Sequence, residues 1–294
     1  MSATLSTQTN AVETAEQSGA HGSGAGRPAA GGGRSDDSGR IGLRGNVRHT
    51  LALARRNVLL IRADPEQLFD AVAMPIIFTA MFVYVFGGAI AGDREDYLQY
   101  LVPGLMAQTG IMVSMSVGSA INADIKLGVM DRFRSMPIAR SSVLVARVFT
   151  DLGRMLVSQL ILIGFAMVLG LRIQTSPLDL LVALALICLF GTALSWIFLL
   201  MGLTLNSPQA VQGIGMLVLM PLQFGSSIFA PVETMPGWLQ AFADVNPMSL
   251  VADACRVLVN GGEVAGPLTW SLVWIVGITV VAAPLAVRRF QRAV

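Results

Sequence analysis

Asp, Glu, Lys and Arg are absent from five long stretches of the chain, 71–92, 97–123, 155–171, 180–232 and 264–287. A helix needs about 20 apolar residues to cross ~30 Å of hydrocarbon, where every backbone polar group must find a partner inside the protein. Four of the stretches hold one span each. The longest, 180–232, holds two, divided by the polar turn Asn206, Ser207 and Pro208. The expectation is an all-α membrane protein of six transmembrane helices within 67–290, near 69–91, 98–122, 143–171, 178–205, 210–231 and 268–287. The third starts ahead of its short charge-free core and takes Arg147, Asp151 and Arg154 into its first turns, an i, i+4 and i, i+3 spacing that suits an ion-paired cluster. Apolar residues make up 54% of the 294 and charged ones 13%, about half the roughly 25% of a soluble domain. A soluble globule is excluded.

Lys and Arg are retained on the cytoplasmic side of a membrane. All but Arg94, Arg172 and Arg256 fall before the first span, between the second span and the base of the third, or after the sixth. Both termini are therefore expected in the cytoplasm. The net charge of +2 is a topology signal, not a nucleic-acid patch, and no nucleic-acid partner is expected. Residues 1–45, rich in Gly, Ser, Ala and Thr, read as a disordered cytoplasmic tail. Residues 46–64 carry Val47, Leu51, Ala54, Val58 and Ile61 at helical spacing beside Arg48, Arg55 and Arg62, the pattern of an amphipathic helix lying on the membrane.

Several chemistries are missing. The single lysine, Lys126, is followed by Leu127, so the chain has no phosphate-binding G-x-x-x-x-G-K-[ST] loop. His21 and His49 both precede the first span, which removes an intramembrane histidine for proteolysis or haem ligation. Cys188 and Cys255 have no metal-ligand spacing, and no metal site is expected. No catalytic residue is proposed. No titratable carboxylate stands near mid-membrane to run an ion-coupled carrier. Four amides do: Gln108, Gln159, Gln212 and Gln223 either bond between helices or line a substrate path.

Such a chain borrows its energy. The segment suited to borrowing lies between spans two and three, where Leu127, Met130 and Phe133 interleave with Lys126, Asp131, Arg132 and Arg134 before Pro137 ends any helix. A short amphipathic helix of this kind seats in a groove on a soluble partner.

The stretches DYLQYLVPGLMAQ (96–108), GVMDRFRSMPIARSSVLVARV (128–148) and APVETMPGWLQAFADVNPMSLVADACRVLVNGG (230–262), in this order, resemble the ABC-2 type permeases, particularly the daunorubicin-resistance type drug exporters. The resemblance covers nearly everything after the tail. It implies a permease that forms a homodimer or heterodimer and docks two copies of a separate ATPase subunit, which binds ATP and Mg. It implies a coupling helix over 126–136, with Gly128, Asp131, Arg132, Arg134 and Pro137 at matching places. It also implies extracellular and partly re-entrant helices between spans five and six, carrying Pro231, Pro236, Trp238, Asn246, Pro247 and Arg256. The expected function is export of an amphipathic drug-like natural product or a lipid by alternating access, with no enzymatic site on this chain. The rivals are a self-sufficient carrier or channel, and a non-transporting membrane anchor for a soluble partner.

Overall fold

The computed structural model describes residues 65–90, 92–128 and 140–293. The tail, the interfacial segment 46–64 and most of the coupling segment lie outside them. Every regular element described is helical: α1 (Pro65–Ile90), α2 (Arg94–Lys126), α3 (Arg140–Leu169), α4 (Pro177–Thr204), α5 (Pro208–Phe224), a 3-10 turn at Val232–Thr234, α6 (Gly237–Val245), α7 (Pro247–Asn260) and α8 (Ala265–Ala293).

Among the described residues, four helical stretches are long and apolar enough to cross a membrane: Arg94–Lys126, Thr150–Leu169, Pro177–Thr204 and Ala265–Gln291. The apolar part of α1, Pro75–Gly88, is shorter, and α5 has 17 residues. Local chemistry sets the ends. The Asp93 carboxylate accepts from Glu95 N and starts α2 ahead of its apolar run. Ser176 and Asp179 form a capping box at α4, with Pro177 in the first turn. Gly170, at φ +114°, closes α3 where a side chain would be strained.

The fifth helix departs from the expected 210–231. It stops at Phe224, where Gly225 N bonds back to Pro221 O. Pro221 supplies no amide hydrogen to the last turns. The chain then turns through 225–236, makes the short α6, and returns through α7.

α2 is the axis of the bundle, packing against α1, α3, α4, α5 and α7. Its crossing with α4 is backbone on backbone. A Cβ at Gly118 would lie 2.8 Å from the carbonyl carbon of Phe198, and one at Gly202 would lie 3.0 Å from that of Gly118. Small residues permit this approach, which lipid cannot drive by apolar burial. Asn122 fastens the crossing, its Nδ2 donating to Gly202 O at 2.8 Å and Leu205 O at 2.6 Å. The main core joins Leu101, Met106, Ile187, Phe190 and Leu258. A smaller one at the Lys126 end joins Val117, Ile121, Leu199, Leu203 and Phe290. Large apolar side chains also face outward, Val168, Leu178, Leu181, Leu217, Val280 and Val281 among them. Outward apolar faces around a polar-bonded interior suit a hydrocarbon solvent.

Candidate functional site

A polar network gathers at the end where α2 begins, around the broken α5–α6–α7 segment. Tyr97 donates its hydroxyl to Phe229 O at 3.0 Å, and Tyr100 donates to Ser227 O at 2.6 Å. Both clasp the turn that follows α5. Arg256, from α7, lies over the Tyr100 ring with its guanidinium carbon 3.8 Å from the centroid. Its Nε donates to Tyr100 O at 3.2 Å, its Nη2 to Ser227 O at 2.9 Å, and its Nη1 pairs with the Asp253 carboxylate. Ser227 Oγ donates to the same carboxylate at 2.7 Å. One turn further out, Gln99 Nε2 donates to Asn260 Oδ1 at 2.7 Å while Asn260 Nδ2 donates to Gln99 O at 3.1 Å. The α3–α4 loop closes the set, Thr175 Oγ1 donating to Leu258 O at 2.6 Å at the end of α7. The guanidinium therefore has a partner for each of its three nitrogens, and α7 is held to α2 along its outer half.

Asn246 holds the inner half. Its Nδ2 donates to Leu222 O at 2.7 Å, among the last carbonyls of α5, while its Oδ1 accepts from Met248 N at the start of α7. One amide thus satisfies the end of one helix and the beginning of another, as a break inside a bundle requires. Pro247 fills the first position of α7. Pro231 precedes the 3-10 turn and Pro236 precedes α6. On α6, Trp238 (75% exposed), Phe242 and Val245 turn outward.

Of the four membrane amides, the structure brings two onto one seam. Met115 against Gly215 and Gly118 against Val211 set an antiparallel register between α2 and α5, and Gly104 against Ile228 continues it into the turn after α5. In that register Gln108 lies level with Leu222 and Gln223. Gln108 (7% exposed) and Gln223 (6%) are both buried. Beside them runs an aromatic ladder: Phe82 stacks on Phe229 at 4.7 Å, Phe229 on Phe224 at 5.3 Å, and Phe82 meets Phe86 at 5.3 Å. Gln159 sits elsewhere, its Nε2 donating to Met106 O at 2.7 Å and fastening α3 to α2. Gln212 is exposed on α5. Asp151 and Arg154 pair at 3.6 Å, and Arg154 also donates to Ser116 Oγ on α2.

At the opposite end, Lys126 closes α2 and is exposed, Leu127 is 77% exposed, and Gly128 takes φ +66° as its N–H bonds to Ile125 O. Asp131, Arg132, Phe133, Arg134 and Pro137 lie outside the described residues. Cys188 and Cys255 are free thiols, and no described group of His, Cys, Asp and Glu is placed to hold a metal. The residues missed by sequence reasoning are Tyr97, Gln99, Tyr100, Ser227, Asp253 and Asn260. Asp253 and Arg256 at i, i+3, on a segment read as extracellular, were the one available signal.

Residues 48–259 match the family described as ABC-2 type transporter. The chain is 39% identical over 247 residues to a daunorubicin resistance ABC transporter permease protein, DrrB1, of Streptomyces coeruleorubidus, covering 83% of this chain and 87% of that protein. It is 28% identical over 243 residues to a probable doxorubicin resistance ABC transporter permease protein, DrrC, of Mycobacterium tuberculosis, covering 82% and 88%. A putative transport permease, ycf38, of Cyanophora paradoxa is 25% identical over 221 residues, 73% of this chain and 75% of that protein.

Proposed function

The chain belongs to the ABC-2 type transporter family, and from that premise we propose that it is the permease subunit of an ATP-driven exporter of amphipathic, drug-like molecules. Two copies of the permease pair in the plasma membrane, and each engages a separate ATPase that binds ATP and Mg2+. The six-span count adds α1 and α5 to the four long spans, with both termini cytoplasmic. The Arg256 network then lies at the extracellular end and Lys126 at the cytoplasmic end.

The observation that carries this reading is α2. It is one continuous 33-residue helix, about 50 Å long at 1.5 Å per residue. It runs from the network that holds α7 to the threshold of the 126–136 segment. Nucleotide-driven closure of the ATPases displaces that coupling helix, through Lys126, Gly128, Asp131, Arg132, Phe133, Arg134 and Pro137. A stiff helix bonded at its far end transmits the displacement to the re-entrant segment. ATP binding thereby favours an outward-open arrangement, because the coupling helix makes different contacts in the two states. The membrane passage is uncharged along α1 from Ala71 onward, the interior of α2 and α5, which supports an amphipathic or lipid-like cargo. No covalent chemistry falls to this chain.

Purification from the native membrane tests the proposal. The wild type is expected to bring an ATPase with it, and the double variant Arg132→Glu, Arg134→Glu is expected to lose it while remaining folded. Failure to crosslink any ATPase to the wild type in native membranes would remove the reading and favour a carrier or anchor. Substrate flux into inverted vesicles that needs ATP but no proton gradient separates those two from an exporter.

A further inference from the structure

Burial in a membrane obliges a side-chain amide to find partners, and most here do: Gln99, Asn122, Gln159, Asn246 and Asn260 all donate to backbone carbonyls or to one another. The seam between α2 and α5 breaks the pattern. Gln108 Oε1 is buried with no hydrogen-bond partner, as are Asn122 Oδ1 and Gln159 Oε1, but those two side chains are held through their nitrogens, whereas neither Gln108 nor Gln223 makes a side-chain hydrogen bond among the described residues. These are the two amides that the Gly104–Ile228 and Met115–Gly215 pairings bring level with each other. Each offers an acceptor beside a donor. Leaving the Gln108 oxygen buried and unpaired is unfavourable, and an unbonded Gln223 at the same level points to a ligand that uses both.

Charge decides the kind of ligand. No Asp, Glu, Lys or Arg occurs in 71–92, 97–123 or 180–232, which contain the seam and its aromatic neighbours. Asp151 pairs with Arg154 on α3, and Asp253 with Arg256 at the outer end. An ammonium or carboxylate entering the seam would be desolvated with no countercharge. An uncharged group presenting its own donor and acceptor would satisfy both amides. Phe82, Phe224 and Phe229 supply stacking surface for an aromatic body.

We propose that Gln108 and Gln223 form a two-amide clamp that binds an uncharged donor–acceptor group, such as a carboxamide, on an aromatic region of the transported molecule. The proposal rests on the permease reading and adds the polar chemistry of the cargo.

The test uses the full-length protein, purified with its native ATPase and placed in phosphatidylethanolamine–phosphatidylglycerol nanodiscs. Three tritiated probes on one naphthalene scaffold are compared by equilibrium dialysis against empty nanodiscs: 2-naphthamide, the similarly branched hydrocarbon 2-isopropylnaphthalene and 2-(aminomethyl)naphthalene. The wild type is expected to bind the amide about tenfold more tightly than the hydrocarbon. Gln108→Leu and Gln223→Leu are each expected to erase that preference while hydrocarbon binding holds. Because each removes an unpaired polar group, neither should lower the unfolding temperature. Gln108→Glu, nearly isosteric, is expected to turn the preference toward the ammonium probe. The clamp is overturned if the amide preference survives both leucine variants, if the wild type prefers the ammonium or the hydrocarbon, or if the leucine variants unfold at lower temperature, the mark of structural amides. Absence of the ATPase from the wild-type preparation would instead count against the permease reading.

Discussion

Gly104→Ala is a single-carbon change at the point where α2 meets the turn after α5. The new Cβ would stand 2.6 Å from Ile228 O and 3.0 Å from Ile228 Cα, both backbone atoms that no rotamer change can move aside. Restoring an ordinary 3.4 Å contact requires the turn to retreat by about 0.8 Å. That retreat stretches the bonds from Tyr97 to Phe229 O and from Tyr100 to Ser227 O, now 3.0 and 2.6 Å, toward or past the limit of a hydrogen bond. Overpacking of this kind costs roughly 1–3 kcal/mol, and two interhelical bonds add about 1 kcal/mol at the ~0.6 kcal/mol each typical in membranes. The better helix propensity of alanine returns about 1 kcal/mol, leaving a net loss near 2 kcal/mol. Gly153→Ala is the matched control, since nothing lies within 4 Å of its added carbon; it is expected to gain up to ~1 kcal/mol. Thermal and denaturant unfolding in one detergent should separate the two variants by about 3 kcal/mol, with faster hydrogen exchange over 225–230 in Gly104→Ala. Equal stability of the two would refute the close-packing argument.

Removing the guanidinium in Arg256→Ala deletes three hydrogen bonds and the stack on Tyr100 and leaves Asp253 without its cation. A loss of about 3 kcal/mol is expected, with exchange rising across 247–260 and no comparable change in Arg172→Ala. Asn246→Leu should free Leu222 O and Met248 N together, lowering stability by roughly 2 kcal/mol; chymotrypsin, which has Phe229, Trp238 and Phe242 to act on, should then cut within 225–246 sooner than in the wild type. Trp238→Ala should leave detergent stability within about 0.5 kcal/mol, as suits an exposed side chain. In wild-type vesicles, lipids brominated near the headgroup should quench tryptophan emission more than lipids brominated at the chain ends, and Trp238→Ala should reduce that difference.

How much was legible in advance differs between the spans and the site. Charge-free runs and the Asn206–Pro208 turn are local signals, because crossing lipid and ending a helix both depend on residues a few positions apart. They sufficed for an all-helical membrane protein and for the approximate place of the four long apolar helices among the described residues. The end of α5 was misplaced by seven residues, since the charge-free run continues to Val232 while the backbone does not remain helical past Phe224. Its terminating partner, Asn246, lies 24 positions from Leu222. The four glutamines make the same point. Composition alone told that each amide must be satisfied or used. Packing decided that Gln159 bonds Met106 O from 53 positions away, that Gln212 turns outward, and that Gln108 and Gln223 share a seam. The Arg256 cluster likewise joins α2, the turn after α5 and α7, up to 156 positions apart. Hydrophobic length determines that a segment enters the membrane; which polar groups meet inside it is determined by helix register and by the glycines that let two backbones touch.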